Sequence, residues 1–213
     1  MVDEAAAALV PGPVASTALA TLVLDDPEVL AALMTGERTA GFALSADLTV
    51  TDGCATGSAD YVVGAVPGGY VLLPAADTWV LIDTAADGVT VEALTATDFT
   101  RPLGRVALDG APVVAVPMSP RRIEDLAVAV LSAEAAGVTR WALQTAVDYA
   151  KVREQFGKPI GSFQAIKHMC AEMLLRSEQV SVAAADAAQA ATGEDPDQLS
   201  VAAAVAAATC IEA

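Results

Sequence analysis

The residues best suited to chemistry lie in the connection between two long helical patterns, at positions 149–168. The sequence there reads Tyr-Ala-Lys-Val-Arg-Glu-Gln-Phe-Gly-Lys-Pro-Ile-Gly-Ser-Phe-Gln-Ala-Ile-Lys-His. Arg153 offers a planar fork of donors that suits a phosphate or a carboxylate. Gln155 and Gln164 add amide groups, Phe156 adds a flat apolar face, and a helix beginning at Ser162 would present free N–H groups to an anion. These residues predict an anion-binding corner, although a capped turn between two helices also accounts for them.

The chain of 213 residues is acidic, with 27 Asp and Glu against 11 Lys and Arg and a net charge of −16. Eight of the basic residues fall between positions 119 and 180 together with seven acidic ones, so this stretch is nearly neutral and the remainder is strongly negative. An anionic ligand would therefore bind in this stretch, unless the charges only form salt bridges between helices. The overall acidity argues against binding to nucleic acid or to an anionic membrane surface.

Cysteine and histidine usage excludes several kinds of site. Cys54, Cys170 and Cys210 lie far apart and His168 is the single histidine, which argues against a zinc site, a disulfide framework and a histidine-based catalytic triad. We interpret the cysteines as small packed residues and His168 as a solvent or interface residue. A reducing, cytoplasmic location fits best, since the N-terminus is acidic and no apolar run reaches the roughly 18 residues of a membrane span.

Patterning predicts an α+β chain in three parts. Residues 1–35 read as short helices (14–24 and 26–34), too small for a domain of their own. Residues 36–118 form a small antiparallel β-barrel or sandwich. Its predicted strands are 41–45, 61–65, 70–73, 78–82, 89–94, 105–109 and 113–117. Residues 119–213 form an up-down helical bundle.

Three helices are predicted in the last part, with starts set by capping residues. The first runs from Ser119 and Pro120 to about residue 154, and the second from Ser162 to about 192. The third begins at Asp195 and is still in progress at residue 213. Trp79 and Trp141 are interpreted as core anchors.

The corner resembles a known family. Tyr-Ala-x-x-Arg-x-Gln-Phe-Gly-Lys-Pro-Ile, followed by Phe-Gln-Ala-Ile-Lys-His, is similar to the acyl-CoA dehydrogenase signature. The resemblance implies an incomplete acyl-CoA dehydrogenase fold: a remnant of the N-terminal helical domain, the middle β domain and the start of the C-terminal helical domain. It further implies FAD as the cofactor, an acyl-CoA thioester as the substrate and oxidation to the 2,3-enoyl form. A carboxylate would remove the α proton while a hydride passes to the flavin.

The resemblance also implies residue roles. Arg153 would contact the FAD pyrophosphate across a subunit interface, Gln155 and Phe156 would lie along the cofactor, and Gln164 would lie near its adenosine. All four would act on the cofactor of a neighbouring subunit, so a homo- or hetero-oligomer with another dehydrogenase subunit is implied. Electron-transfer flavoprotein is a further candidate partner.

The sequence departs from the family pattern at the flavin-covering motif of the sheet and at the position of the catalytic glutamate. The family's usual flavin-covering motif, Thr-Glu-Pro, is replaced by residues 42–47, where Ser45 either supplies the hydroxyl beside the flavin or is a plain strand-end serine. Tyr61 either packs on the flavin or fills the barrel core. In most family members the catalytic glutamate comes late in the helical domain, past residue 213. In a minority it lies on the first long helix, where the register falls here at alanine and valine, at positions 127 and 128, and Glu124 fits a helix N-terminus better than a base. No catalytic residue is therefore assigned.

Three functions remain open at this point. The chain is an acyl-CoA dehydrogenase subunit, or a non-catalytic or degenerate subunit that completes a partner's FAD site, or a helical interaction module without a cofactor. If the long helices pair as in the family, an apolar face of the helical bundle is exposed to solvent. The protein is then expected to be oligomeric or to associate non-specifically.

Overall fold

Three short helices come first in the computed structural model, which describes residues 1–193 and 195–213. They are α1 (Val2–Ala7), α2 (Val14–Val23) and α3 (Pro27–Thr35). Asp26 caps α3 because its carboxylate accepts hydrogen bonds from the N–H groups of Glu28 and Val29, at 2.9 and 3.1 Å. This cap confirms the start predicted from Asp26 and Pro27.

Residues 11–126 form one compact unit around an eight-stranded sheet. The strands are β1 (Ala40–Phe42), β2 (Asp47–Thr51), β3 (Cys54–Val63), β4 (Tyr70–Ala75), β5 (Thr78–Asp83), β6 (Val89–Ala93), β7 (Leu103–Pro112) and β8 (Val114–Ala115). Their order is β6-β7-β3-β1-β4-β5-β8, and β2 pairs with β3. Alternating side chains from β3, β4, β5 and β7 fill one buried cluster, which includes Val62, Leu73, Ile82 and Val106.

The sheet follows the prediction in most places and departs from it in two. Within residues 11–126, β1 and β4 pair in parallel, whereas the other strand pairs are antiparallel. The sequence prediction also missed β2 and the first seven residues of β3, positions 54–60, which form a hairpin with β2 through Asp52 and Gly53. The strand residues of β2 are mostly exposed, so they lack the apolar alternation that marks a half-buried strand.

Residues 1–10 and 127–213 form the second compact unit. Helix α4 (Pro120–Val152) begins in the first unit and continues into this one; Ser119 accepts the N–H of Arg122 at its start. After α4 come β9 (Glu154–Gln155), β10 (Lys158–Pro159), a 3₁₀ turn (Ile160–Ser162), α5 (Gln164–Ala191) and α6 (Pro196–Glu212). Asp195 caps α6 through the N–H groups of Asp197 and Gln198, as predicted.

Small residues let the helices of this unit pack closely. The buried faces of α5 and α6 are rich in alanine, with Val180 and Leu199 as the larger side chains. On α4, a Cβ added to Gly137 would lie 2.1 Å from the carbonyl oxygen of Asp3, so α1 crosses α4 in direct backbone contact. Arg140 then pairs with Glu4, at 3.1 Å, and fastens α1 along the same face.

The predicted fold class, an α+β chain with a small sheet domain and a helical part, is confirmed. The division into parts 1–35, 36–118 and 119–213 stays a prediction. By length and composition, α4 is apolar enough to cross a membrane, but a core helix of a soluble protein meets the same criterion. The absence of a membrane span therefore also stays a prediction.

Several single-residue interpretations need correction. Trp79 is fully buried, as expected of a core anchor, but Trp141 is 41% exposed on α4. Cys54 is exposed at the start of β3 and is therefore not a packed residue. Ser162 does not cap α5: it lies in the 3₁₀ turn, and Phe163, with extended backbone, occupies the cap position.

Candidate functional site

The predicted corner is a tight β-hairpin placed between α4 and α5. Gln155 pairs with Lys158, so only Phe156 and Gly157 form the turn. The N–H of Ile160 donates to the carbonyl of Arg153 at 2.8 Å, which closes the base of the hairpin. The N–H of Arg153 donates to the carbonyl of Tyr149 at 2.9 Å, which anchors the hairpin to the last turn of α4. The corner is therefore held by backbone hydrogen bonds that do not depend on its side chains.

Phe156 occupies an unusual backbone conformation at the tip of this hairpin. Its φ is 53° and that of Gly157 is 75°, as in the type I′ turns that asparagine and glycine favour. A bulky residue in the left-handed region carries strain on the order of 1 kcal/mol or more. The ring is 92% exposed and gains little from burial. Neither the conformation nor burial of this ring stabilises the fold, and its binding role stays a prediction.

Arg153 directly follows α4 and is exposed. Across the described part of the chain, positions 1–193 and 195–213, its guanidinium makes neither a hydrogen bond nor an ion pair. It is not internally neutralised by a carboxylate, unlike Arg38 with Asp83 or Arg176 with Glu172. Its five donors are therefore available to an external anion.

A second ring and a cation extend this surface. Phe163 contacts Phe156 edge to face, with ring centroids 6.1 Å apart, and the Lys158 ammonium lies 4.5 Å from the Phe163 centroid. The sequence prediction missed both residues, although the spacing of Phe156 and Phe163 around a glycine turn was visible. The hairpin thus presents aromatic faces beside cationic groups, an arrangement that suits a planar, negatively charged ligand.

The two predicted glutamines lie on opposite sides of the turn. The side-chain amide of Gln155 donates to the carbonyl of Glu154 at 2.8 Å and is exposed. Gln164 is the first residue of α5, and its amide contacts the ring of His168 at 3.0 Å. His168 is exposed, as predicted. The structure therefore gathers Arg153, Gln155, Phe156 and Gln164 in one short segment, and their roles stay predictions.

Ser45 lies in the other unit, in the loop between β1 and β2. The strand predicted for residues 41–45 ends at Phe42, so Ser45 is a loop residue rather than a strand-end residue. It is exposed, and its hydroxyl makes no hydrogen bond to any residue that the structure describes. The hydroxyl is available to a ligand of the sheet, which keeps the predicted role open.

Tyr61 projects from a bulge in β3, and its interpretation as a core residue is wrong. Its side chain is 71% exposed and its φ is 54°. The bulge lies between Ala59 and Val62, where the pairing with β7 shifts register. The sequence left both readings of Tyr61 open, and the bulge, which it did not predict, turns the side chain away from the core.

Glu124 is exposed on the second turn of α4, and the first turn contains no acidic residue. Positions 127 and 128 carry alanine and valine, which do not take protons. No residue of the chain is assigned as a general base.

Comparisons with known proteins agree with one another. Residues 126–213 match a family model described as "Acyl-CoA dehydrogenase, C-terminal domain". The chain is 61% identical over 215 residues to the Mycobacterium tuberculosis protein "Acyl-CoA dehydrogenase FadE34", covering 100% of this chain and 30% of that protein. It is 33% identical over 198 residues to "Acyl-CoA dehydrogenase IpdE2" of the same organism, covering 90% of this chain and 56% of the relative. The chain thus spans about a third to a half of the length of these relatives.

Solved structures share the fold. The "Tcur3481-Tcur3483 steroid ACAD G363A variant" superposes with a TM-score of 0.87 at 26% identity, covering 98% of this chain and 63% of that one. The "ChsE4-ChsE5 complex from Mycobacterium tuberculosis" gives a TM-score of 0.78 at 22% identity, covering 99% and 67%. The second likeness shows the fold alone.

Proposed function

Since residues 126–213 belong to the C-terminal domain of the acyl-CoA dehydrogenase family and the whole chain is related to its members, we propose that this chain forms part of an FAD-dependent acyl-CoA dehydrogenase. The reaction would introduce a double bond between the α and β carbons of an acyl-CoA thioester. One structural relative, Tcur3481-Tcur3483, is described as a steroid ACAD.

The hairpin is proposed to bind FAD that is held by a neighbouring subunit. Arg153 would donate to the pyrophosphate, because its guanidinium lacks an internal partner. Phe156 would cover an apolar part of the cofactor, and Gln155 and Gln164 would add hydrogen bonds, Gln164 near the adenosine. The observation that carries this proposal is an unneutralised arginine on a backbone-locked hairpin beside a strained, exposed phenylalanine.

The sheet is proposed to contact the flavin ring of a second FAD. Ser45 would donate its free hydroxyl, and Tyr61 would pack its exposed ring against the flavin. FAD, when bound, accepts the hydride of the substrate's β carbon. The residues named here bind and orient the cofactor and keep water from it. The α proton requires a carboxylate, and none of this chain's carboxylates is proposed for that role.

Assembly with another subunit follows because the hairpin and the sheet are proposed to contact two different FAD molecules. Exposed apolar side chains on α5 and α6 support it, among them Leu175, Val182, Val205 and Ile211. A groove of about 980 Å³ runs between these two helices. Electron-transfer flavoprotein is proposed as the electron acceptor and the cytoplasm as the location.

A second candidate is a non-catalytic subunit that completes the FAD site of a catalytic partner. The replacement of the family's flavin-covering motif by residues 42–47 favours it. Two structural relatives, Tcur3481-Tcur3483 and ChsE4-ChsE5, are named as pairs of proteins, which is consistent with a paired assembly. In this case Arg153 would still bind the cofactor, but turnover would need the partner's carboxylate.

The test is a titration of the purified chain with FAD, followed by flavin fluorescence, for the unmodified protein and for Arg153→Gln. Loss of the charge-assisted hydrogen bonds, about 2 kcal/mol, should weaken binding about 30-fold. The matched control is Arg176→Gln, since Arg176 is also an exposed arginine but pairs with Glu172 at 2.9 Å. Its affinity for FAD should be unchanged.

Co-purification separates the two candidates. A chain that binds FAD alone supports the first, and a chain that retains FAD only with a second dehydrogenase subunit supports the second. Failure to bind FAD in either form, or equal affinities of Arg153→Gln and Arg176→Gln, would overturn the assignment of the hairpin.

A further inference from the structure

The bulge in β3 places two residues opposite one. Ala59 pairs with Val106 and Val62 pairs with Gly104, so Asp60 and Tyr61 together face the single residue Arg105 of β7. Both ends are fixed by burial, because Ala59 is 1% exposed and Val62 is fully buried. Two residues must therefore leave the regular ladder between these fixed points.

The strain of this bulge falls on Tyr61. Its φ of 54° is in the left-handed region, where a bulky residue is rare and strained. Such a conformation persists only when its surroundings exclude the alternatives. A bulge that instead placed Asp60 in the distorted position would cost less, because aspartate tolerates this region better than tyrosine.

Arg105 supplies the contact that excludes this alternative. Its Nε donates to Oδ1 of Asp60 at 2.5 Å, and its Nη1 donates to Oε2 of Glu92 at 3.3 Å. Glu92 lies directly opposite Arg105 on β6, so one guanidinium spans three adjacent strands. Asp60 stays in contact with Arg105, and Tyr61 is the residue that takes the positive φ.

We propose that Arg105 is a positioning residue, which ties Asp60 to the sheet and thereby fixes the backbone conformation that presents the Tyr61 ring outward. The contact of that ring with flavin rests on the function proposed above, whereas the fixing of the backbone does not. Without this ion pair, Asp60 is free to take the positive-φ conformation, and Tyr61 returns to ordinary strand geometry.

The first test needs no cofactor. The chain has three tyrosines, so protein labelled with ¹³C-tyrosine gives three sets of Cα and Cβ signals, and Tyr61→Phe assigns one of them. These carbon shifts report backbone conformation. In Arg105→Met the Tyr61 signals should move toward strand values, while those of Tyr70 in β4 stay in place. Arg101→Met, an arginine four residues away, should move neither.

Asp60→Asn repeats the test while Arg105 is kept. It removes the charge that Arg105 holds, so it should shift the Tyr61 signals in the same direction. If Arg105→Met unfolds the sheet, as displaced Tyr70 signals would show, Asp60→Asn decides. Tyr61 signals that stay in place in a folded variant overturn the positioning role.

The second test uses FAD and a double-mutant cycle. Arg105→Met should weaken FAD binding about threefold, in line with part of an aromatic contact, and should have no further effect in a Tyr61→Leu background. An equal effect in both backgrounds would overturn action through Tyr61. If the chain and its complexes bind no FAD, the proposed function fails, while the carbon shifts still decide whether Arg105 fixes the bulge.

Discussion

Replacing Phe156 by asparagine separates the stability of the hairpin from its capacity to bind a ligand. Asparagine followed by Gly157 is the preferred pair for a turn with positive φ at both central residues. The substitution relieves strain of about 1 kcal/mol. It removes an edge-to-face contact with Phe163 worth about 0.5 kcal/mol, at the low end of the range because the Phe156 ring is 92% exposed. The free energy of unfolding should therefore be unchanged or rise by about 0.5 kcal/mol.

Binding should respond in the opposite direction. If the ring covers part of FAD, its loss removes about 1 kcal/mol of contact, which is an affinity about fivefold lower. Chemical denaturation measures the first quantity, and a titration with FAD followed by flavin fluorescence measures the second. A variant that is as stable as the parent but binds more weakly would show that the strained phenylalanine is kept for binding.

Phe99→Asn is the matched control, since Phe99 is 91% exposed in the sheet unit and has no place in the proposed site. Both stability and FAD affinity should remain at the parent values in this variant. The reasoning is refuted if Phe156→Asn destabilises the chain by more than about 1 kcal/mol and leaves FAD affinity intact, because Phe156 would then be a structural residue.

Three further substitutions test the fold that supports the site. Gly137→Ala places a methyl group 2.1 Å from the Asp3 carbonyl oxygen, so α1 should leave α4 and residues 2–7 should lose protection in hydrogen exchange. Arg38→Met removes the donors to the Gly68 and Gly69 carbonyls and to Asp83, and should lower the free energy of unfolding by about 2 kcal/mol. The same ion pair holds the pKa of Asp83 below its ordinary 3.8, so the stabilisation is present above about pH 4 and is lost as the pH falls through the lowered value. Asp195→Ala removes the cap of α6 and should cost about 1 kcal/mol in chemical denaturation.

Gly193→Ala meets only the Ala190 carbonyl at 3.3 Å and should leave the exchange of α1 unaltered. Arg38→Met should flatten the acid limb of the stability curve; an unaltered acid limb would mean that Asp83 does not link pH to folding. An Asp195→Ala variant with parental stability would show that the end of α6 is already frayed.

The helix starts at Asp26 and Asp195 and the family resemblance, which the comparisons confirm, were predictable because they are encoded in short stretches of sequence. The β-hairpin of residues 154–159 was not predicted, and the predicted cap at Ser162 is wrong. The resemblance assigned cofactor contacts to Arg153, Gln155, Phe156 and Gln164, and the structure places them on the hairpin and at the start of α5. Their contacts with a cofactor stay predictions.

The sheet was less predictable because its determinants are long-range. The exposed strand β2 has little apolar alternation, and the parallel pairing of β1 with β4 depends on tertiary contacts. The choice between the two readings of Tyr61 could not be made from sequence, because one extra residue in a strand changes which face each following residue takes. Arg105 escaped notice since its partners Asp60 and Glu92 are 45 and 13 residues away in sequence.

Photoaffinity labelling with 8-azido-FAD tests the central claim most directly, because it reports which residues lie beside the cofactor. Trypsin cleaves after Arg153 and Lys167 but not between Lys158 and Pro159, so the hairpin and the start of α5 are released as one peptide, residues 154–167. We predict that this peptide carries the adenine label in the assembled protein and loses it when excess FAD competes. Labelling confined to other peptides, with residues 154–167 unmodified, would contradict the assignment of the hairpin to FAD.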